Sequence, residues 1–216
     1  MRNLTRRNLE LLKKGLTRIP AEHKEEARSV LQSEAGILSR LQEVTTSRIK
    51  CAKIRTHGDY HLGQVLFTGK DFVIIDFEGE PSRALSERRL KRSPLRDVAG
   101  MIRSFHYAAY GKLILPNVFR PEDMHQLEPW AELWYRLSAA VFLHDYRQTA
   151  LAEADLLPHD MKSFFVLLDA FLLEKAVYEL GYELNNRPEW VGIPLRGIKY
   201  LLQAKVARNA REEKQP

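Results

Sequence analysis

One stretch limits the possible folds more than any other: His57 to Pro81, reading HGDYHLGQVLFTGKDFVIIDFEGEP. Val65-Leu66-Phe67 and Phe72-Val73-Ile74-Ile75 are apolar runs that flank Thr68-Gly69-Lys70-Asp71, the pattern of a β-hairpin. Pairing the runs puts Gln64 and Asp76 at the same open end. Directly opposed strand ends hold side chains about 5 Å apart, and one Mg²⁺ reaches its oxygen ligands at about 2.1 Å. Residues 51–56 form a further strand-like run that delivers His57–Gln64, where Gly58 and Gly63 permit a tight backbone path close to a ligand. Two carboxylates, Asp59 and Asp76, therefore end strand-like runs, an arrangement suited to phosphoryl transfer. One carboxylate must orient an acceptor hydroxyl and take its proton, while another, with an amide oxygen nearby, holds Mg²⁺ against phosphate oxygens. Asp59, Asp76 and Gln64 fill these roles in that order.

The rest of the chain is helical in pattern. Residues 3–16 give a short amphipathic helix ending at Gly15, and the spacing of Ala27, Val30, Leu31, Ile37, Leu38 and Leu41 predicts a second from Ala21 to about Thr46. These form a helical arm over 1–46, with a joint poor in apolar residues over 42–50. Ser82–Arg92 is basic and reads as a surface loop or short helix. Ser93-Pro94 is an N-cap followed by proline at the first helical position, opening a helix with Leu95, Val98, Ile102, Phe105 and Ala109 on one stripe and an end before Gly111. Pro121 starts another, whose Leu127, Trp130, Trp134, Leu137 and Val141 read as core. Residues 158–184 are the most apolar helix, and in its second half Glu174, Tyr178 and Tyr182 recur every four residues on one face. Asn185-Asn186-Arg187-Pro188 breaks it, Trp190 and Pro194 lead into a last helix, and residues 209–216 form a charged tail. The expected fold is mainly α with a small β-hairpin.

Composition narrows the function classes. At 216 residues and 44% hydrophobic content the chain can bury one good core. A net charge of +6 is spread among abundant acids, so the surface is mildly basic and nucleic acid is not the expected partner; a nucleic-acid module, ranked last, would bind with steep salt dependence. No membrane-length apolar run is present. The single cysteine, Cys51, excludes an internal disulfide and a cysteine-rich metal site, in keeping with a cytoplasmic setting and an inert packed thiol.

At the motif the sequence reaches a family. His57-Gly58-Asp59 with Gln64 five residues on, then Asp76-Phe77-Glu78, resembles the catalytic and metal-binding loops of aminoglycoside-phosphotransferase-like kinases, relatives of the protein kinases. With DVAGMIRSFHYAA and EKAVYELGYELNNRPEWVGIPLRGI, the chain over roughly residues 25–205 is similar to bacterial maltokinases, including those fused to trehalose synthase. The resemblance implies transfer of the ATP γ-phosphoryl group to maltose, giving maltose 1-phosphate. It makes Asp59 the catalytic base and Gln64 and Asp76 the Mg²⁺ ligands. His61 falls where many protein kinases place a phosphate-contacting lysine, and is read either as a phosphate contact or as loop packing. Glu78 replaces the usual glycine, leaving open whether it serves the metal or the sugar. Asp97 resembles the helix aspartate that braces the catalytic loop. The Glu174, Tyr178 and Tyr182 face, with Trp190, becomes either a sugar wall or a buried aromatic interface.

Such kinases also need a β-rich N-terminal lobe with a phosphate-covering loop and a lysine held by an acidic helix residue. No stretch here matches it. The chain is therefore read as a protein-kinase-like C-terminal lobe over 47–208 with the N-terminal lobe absent. Its expected partners are that lobe and, in the fused type, a trehalose synthase domain. Alone it is expected not to turn over ATP. The alternatives are a related kinase acting on another sugar, an aminoglycoside or an amino alcohol, and a non-catalytic binding module, against which the retained Asp59, Gln64 and Asp76 argue.

Overall fold

The structure is a computed structural model that describes residues 1–81, 83–115, 118–153 and 155–212. It is mainly helical with one two-stranded sheet. The chain divides into two compact units, Met1–Ser47 with Leu172–Pro216, and Arg48–Phe171.

The first unit holds α1 (Arg2–Gly15), α2 (Lys24–Gln32), α3 (Glu34–Thr46), the later part of α7 (Met161–Asn186) and α8 (Gly192–Glu212). The helix expected over 21–46 is two, preceded by a single turn of 3₁₀ helix over Ala21–His23. At the break the Ser33 hydroxyl donates to the Ser29 carbonyl (2.8 Å), a local bond that competes with the helix ladder. Leu12, Ala27, Val30, Ile37, Leu41, Val177, Leu180, Ile193 and Ile198 form its buried core. Polar groups inside this core are paired. Asn8 Nδ2 donates to the Val177 carbonyl at 2.7 Å, and the Arg40 guanidinium donates to the carbonyls of Leu201 and Leu202. The expected charged tail over 209–216 falls partly on α8, which continues to Glu212, and partly outside the described residues.

The second unit carries the hairpin, β1 (Val65–Phe67) against β2 (Phe72–Ile74), in the expected antiparallel register Val65↔Ile74, Leu66↔Val73, Phe67↔Phe72. Thr68 and Asp71 close its turn through both backbone and side-chain bonds, with Gly69 at φ +92. Both faces of the ribbon are open to solvent; Phe67 and Phe72 pair with ring centroids 5.2 Å apart while each stays 66% exposed. The strand-like run over 51–56 reduces to one antiparallel bridge, Ile54 with Arg92. Between hairpin and bridge lies α4 (Leu85–Arg88). Then α5 (Leu95–Ile114) runs past the expected stop, because Gly111 is buried within the helix. Leu95, Val98 and Ile102 are buried as their spacing requires.

Packed against α5 is α6 (Met124–Glu153), a 30-residue helix with Pro129 inside it. Here the sequence expectation is corrected. Trp130 (69% exposed), Leu137 (58%) and Val141 (62%) are surface residues, and Trp134 (48%) is half exposed with one edge against Phe105, ring centroids 6.4 Å apart; the face α6 turns to α5 is the neighbouring one, where Phe105 meets Phe142 and His106 meets Tyr135. The spacing identified a shared helix face correctly, but that face is not the buried one.

Candidate active site

The site is assembled on a loop pinned to α5. The Asp97 carboxylate, in the first turn of that helix, accepts from the backbone N–H groups of His57 (2.6 Å) and Gly58 (2.9 Å). Gly58 makes this path possible at φ +87, a conformation glycine adopts at no steric cost. Three residues along the helix, Gly100 has no side chain where a Cβ would come 2.7 Å from the Tyr60 carbonyl oxygen. A turn further on, Ser104 Oγ accepts from the Leu62 N–H at 2.9 Å. Positions 97, 100 and 104 share one helix face, so one stripe of α5 holds the loop on both sides of Asp59.

His57 ties this loop to the second one. The Asp59 N–H donates to His57 Nδ1 (3.3 Å), which makes Nδ1 an acceptor and leaves the ring proton on Nε2, donated to the Ile75 carbonyl at 2.7 Å. A buried imidazole thus spans from the residue carrying one carboxylate to the residue before the other. Its ring also contacts Phe77, with centroids 4.9 Å apart, and Tyr60 at 5.7 Å. The bracing that the resemblance implies for Asp97 is therefore visible as hydrogen bonds, and His57 adds a second brace.

At the hairpin's open end Gln64 Nε2 donates to Asp76 Oδ2 at 2.9 Å, and the Ile75 N–H donates to the Gln64 carbonyl at 3.0 Å. Asp76 sits at φ +62, the only described non-glycine residue with positive φ. Such strain is held in place only where neighbouring bonds over-determine it. The Gln64 amide oxygen and the second Asp76 oxygen are hard donors of the kind Mg²⁺ takes through one or two carboxylates plus substrate phosphates. Among the described residues no cluster of three or more His, Cys, Asp or Glu is placed to hold a metal ion.

Near Asp59, the Gly63 N–H donates to His61 Nδ1 (3.1 Å), which turns Nε2 towards Asp59 Oδ2 at 3.8 Å. A Cβ at Gly63 would come 2.8 Å from the His61 ring, so a larger residue there would displace that side chain. Glu78 offers its carbonyl to Arg88 (3.3 Å) and exposes its side chain. The electrostatics are set by burial. Burial pushes the Asp97 carboxyl above its ordinary value even though two N–H bonds work the other way. Tyr146 is raised to about 12, chiefly by burial and then by the negative charge of Asp97, and Tyr60 is raised by the same two causes.

The remaining predicted residues belong to the first unit. Tyr182 and Trp190 meet at the α7–α8 elbow through Arg187, whose guanidinium lies over both rings at 5.5 and 4.7 Å. It also makes a bidentate bond to Glu183 (2.8 and 2.9 Å). The Tyr178 ring carries Lys175 at 5.2 Å, and Glu174 faces the amino group of Met1 at 3.4 Å. Sequence reasoning missed Gly100 and Ser104. Their signal was a small and a polar residue at the third and seventh places after Asp97, on an otherwise apolar helix.

With this geometry in view, the likenesses to known proteins fall into place. No protein-family model matches the chain. Its fold is kinase-like, shared with parts of solved sugar-kinase structures. A glucosamine kinase in complex with glucosamine, ADP and inorganic phosphate superposes with a TM-score of 0.65 at 19% identity, covering 95% of this chain and 48% of that one. A second glucosamine kinase crystal form gives 0.69 at 24% identity, covering 92% and 44%. In sequence the chain is similar to a glucosamine kinase of Streptacidiphilus jiangxiensis, 31% identical over 150 residues, and to one of Mycolicibacterium smegmatis, 29% identical over 147. The matches take in 69% and 68% of this chain but 32% and 34% of those relatives, so the chain spans about a third of their length. No described helix is long and apolar enough to cross a membrane.

Proposed function

We propose that this chain supplies the acceptor-activating and metal-binding half of an ATP-dependent sugar kinase. The observation that carries the reading is the His57 bridge, which fixes the Asp59 backbone relative to the loop of Asp76 through one imidazole. A reaction that needs a base and a phosphate-side metal ligand in fixed relation requires such a tie.

In this reading Asp59 orients a sugar hydroxyl and accepts its proton as that oxygen bonds to the γ-phosphorus and the bond to ADP breaks. His61, with its Nε2 proton directed at Asp59, steadies the carboxylate or hydrogen-bonds a transferring oxygen. Gln64 and Asp76 hold Mg²⁺, which when bound offsets phosphate charge. Glu78, Glu174, Tyr178, Tyr182 and Trp190 are the candidate sugar-facing side chains. The nucleotide-holding lobe is a partner segment outside this chain.

The family resemblance implied maltose as the acceptor. The names of the relatives favour glucosamine instead, and they give no support to a fused trehalose synthase domain. We therefore place glucosamine first and maltose second. The test is sugar-phosphate formation from Mg-ATP by the polypeptide that joins this chain to its nucleotide-holding lobe, with glucosamine, maltose, an aminoglycoside and an amino alcohol offered in parallel. Asp59→Asn should lower turnover by at least about 10³-fold, a base's share plus lost orientation. Retained product formation in that variant would remove Asp59 from its role, and vigorous ATP turnover by the present chain alone would overturn the half-site reading.

A further inference from the structure

We infer that the exposed face of α6 is a self-association seam through which two copies of this chain pair, with their α6 helices antiparallel. Leu127, Trp130, Trp134, Leu137 and Val141 follow one another at intervals of three, four, three and four residues, the a/d repeat of a two-helix seam. All five fall within one narrow arc of the helix, and the last four are among the most exposed large apolar side chains of the second unit. A helix arc that faces water is ordinarily polar. On the arc of the seam polar residues return only past Val141, at His144 and Gln148. The apolar stretch therefore has a defined length of about two heptads.

Its chemistry fits a second copy of itself. Between Trp130 and Val141 the only charges are Glu132 and Arg136, which pair with each other at 2.6 Å on the outer side of the helix. The seam itself is free of charge, so it lacks the ionic pattern by which a helix selects an unlike partner. Antiparallel packing that sets a positions against d positions places Trp134 opposite Leu137 of the second copy and Trp130 opposite its Val141. Each indole then meets a smaller aliphatic side chain, and Ala131, Ser138 and Ala140 beside the seam leave room for the rings. The pairing is two-fold symmetric, so each contact is made twice.

The exposed apolar area is that of an interface core. From their fractional exposures, Trp130, Leu133, Trp134, Leu137 and Val141 present roughly 500 Å² per copy. That is more than half of the ~800 Å² that each partner buries in a standard stable interface. The helix backbone and the small flanking side chains supply the rim.

The chain itself serves for the test. Sedimentation equilibrium over about 1–100 µM should show a concentration-dependent dimer. The emission of Trp130 and Trp134 should shift to the blue as the dimer forms. Leu137→Glu with Val141→Glu, checked for retained helix content by far-ultraviolet circular dichroism, should raise the dimer Kd at least about 100-fold, since four charges enter one apolar seam. Phe67→Glu with Phe72→Glu, on the exposed hairpin, should leave it unchanged. A monomer at the highest concentration, or a dimer that the α6 variant leaves intact and the hairpin variant breaks, would overturn the inference.

Discussion

Replacing Gly100 by alanine separates two effects that ordinarily go together. Within a helix the change should stabilise by about 1 kcal/mol, because glycine has the higher backbone entropy to lose. At this position, however, the new Cβ would lie 2.7 Å from the Tyr60 carbonyl oxygen. Ordinary contact begins near 3.4 Å, so the loop must retreat by about 0.7 Å or α5 must bend. The atom in the way is backbone, so no side-chain rotation relieves the clash. Overpacking of this kind costs about 1–3 kcal/mol, which leaves a net loss of roughly 0–2 kcal/mol after the helix gain. The larger effect should be positional. Tyr60 follows Asp59 directly, and the loop is held on both sides of it by Asp97 and Ser104. A displacement approaching 1 Å at a catalytic base lowers turnover by up to about 100-fold. Urea unfolding of the chain, amide exchange at Gly58 and Leu62, and sugar phosphorylation by the polypeptide with its nucleotide lobe provide the three readouts. Near-normal stability with faster exchange at both amides and a 10- to 100-fold slower reaction is the expected result. A stabilised variant with unchanged exchange and full turnover would refute the idea that α5 positions the loop.

Other consequences follow from single contacts. Burial raises the Asp97 pKa above its ordinary value of 3.8, so the folded chain binds that proton more readily than the unfolded chain. The group's contribution is full below the unfolded pKa and is lost as pH rises through the folded one. Asp97→Asn should flatten that part of the stability profile while losing about 1 kcal/mol for one displaced N–H bond, as read from urea midpoints against pH. In the first unit, a Cβ at Gly181 would meet Asn8 Nδ2 at 2.5 Å and push it off the Val177 carbonyl. Gly181→Ala should therefore cost about 1–3 kcal/mol in thermal unfolding, and adding Asn8→Ala should recover part of it, because both clash and stranded donor disappear. Glu183 is 1% exposed and takes both guanidinium bonds of Arg187. Arg187→Met should cost about 2 kcal/mol, and pairing it with Glu183→Gln should cost less than the single change, since no charge is then left buried.

How far these features could be read beforehand depended on whether a local rule determined them. The hairpin was legible because a period of two and a four-residue turn fix which residues face each other; that register sets Gln64 opposite Ile75, and the turn at Asp76 (φ +62) completes the Gln64–Asp76 contact. The stripe of α5 was legible for the same reason, at a period of 3.6. Ser33 was not, because a single residue turning to ψ +7 interrupts a helix whose apolar spacing continues across it. The α6 residues show the limit most clearly. Periodicity identifies which side chains share a face, but it cannot say what that face meets, and Trp130 and Leu137 meet solvent. Gly100 and Ser104 were hidden in the opposite way, since their chemistry is plain and their role lies entirely in a 2.7 Å approach and a 2.9 Å bond. The carboxylates proposed for phosphoryl transfer were named from spacing, because that reaction would demand particular groups. The residues that hold them need only be small or polar at the right height on a helix, and many sequences meet that requirement without forming a site. What distinguishes this chain is that Asp97, Gly100 and Ser104 on α5, and His57 between the loops, all constrain the same few residues around Asp59.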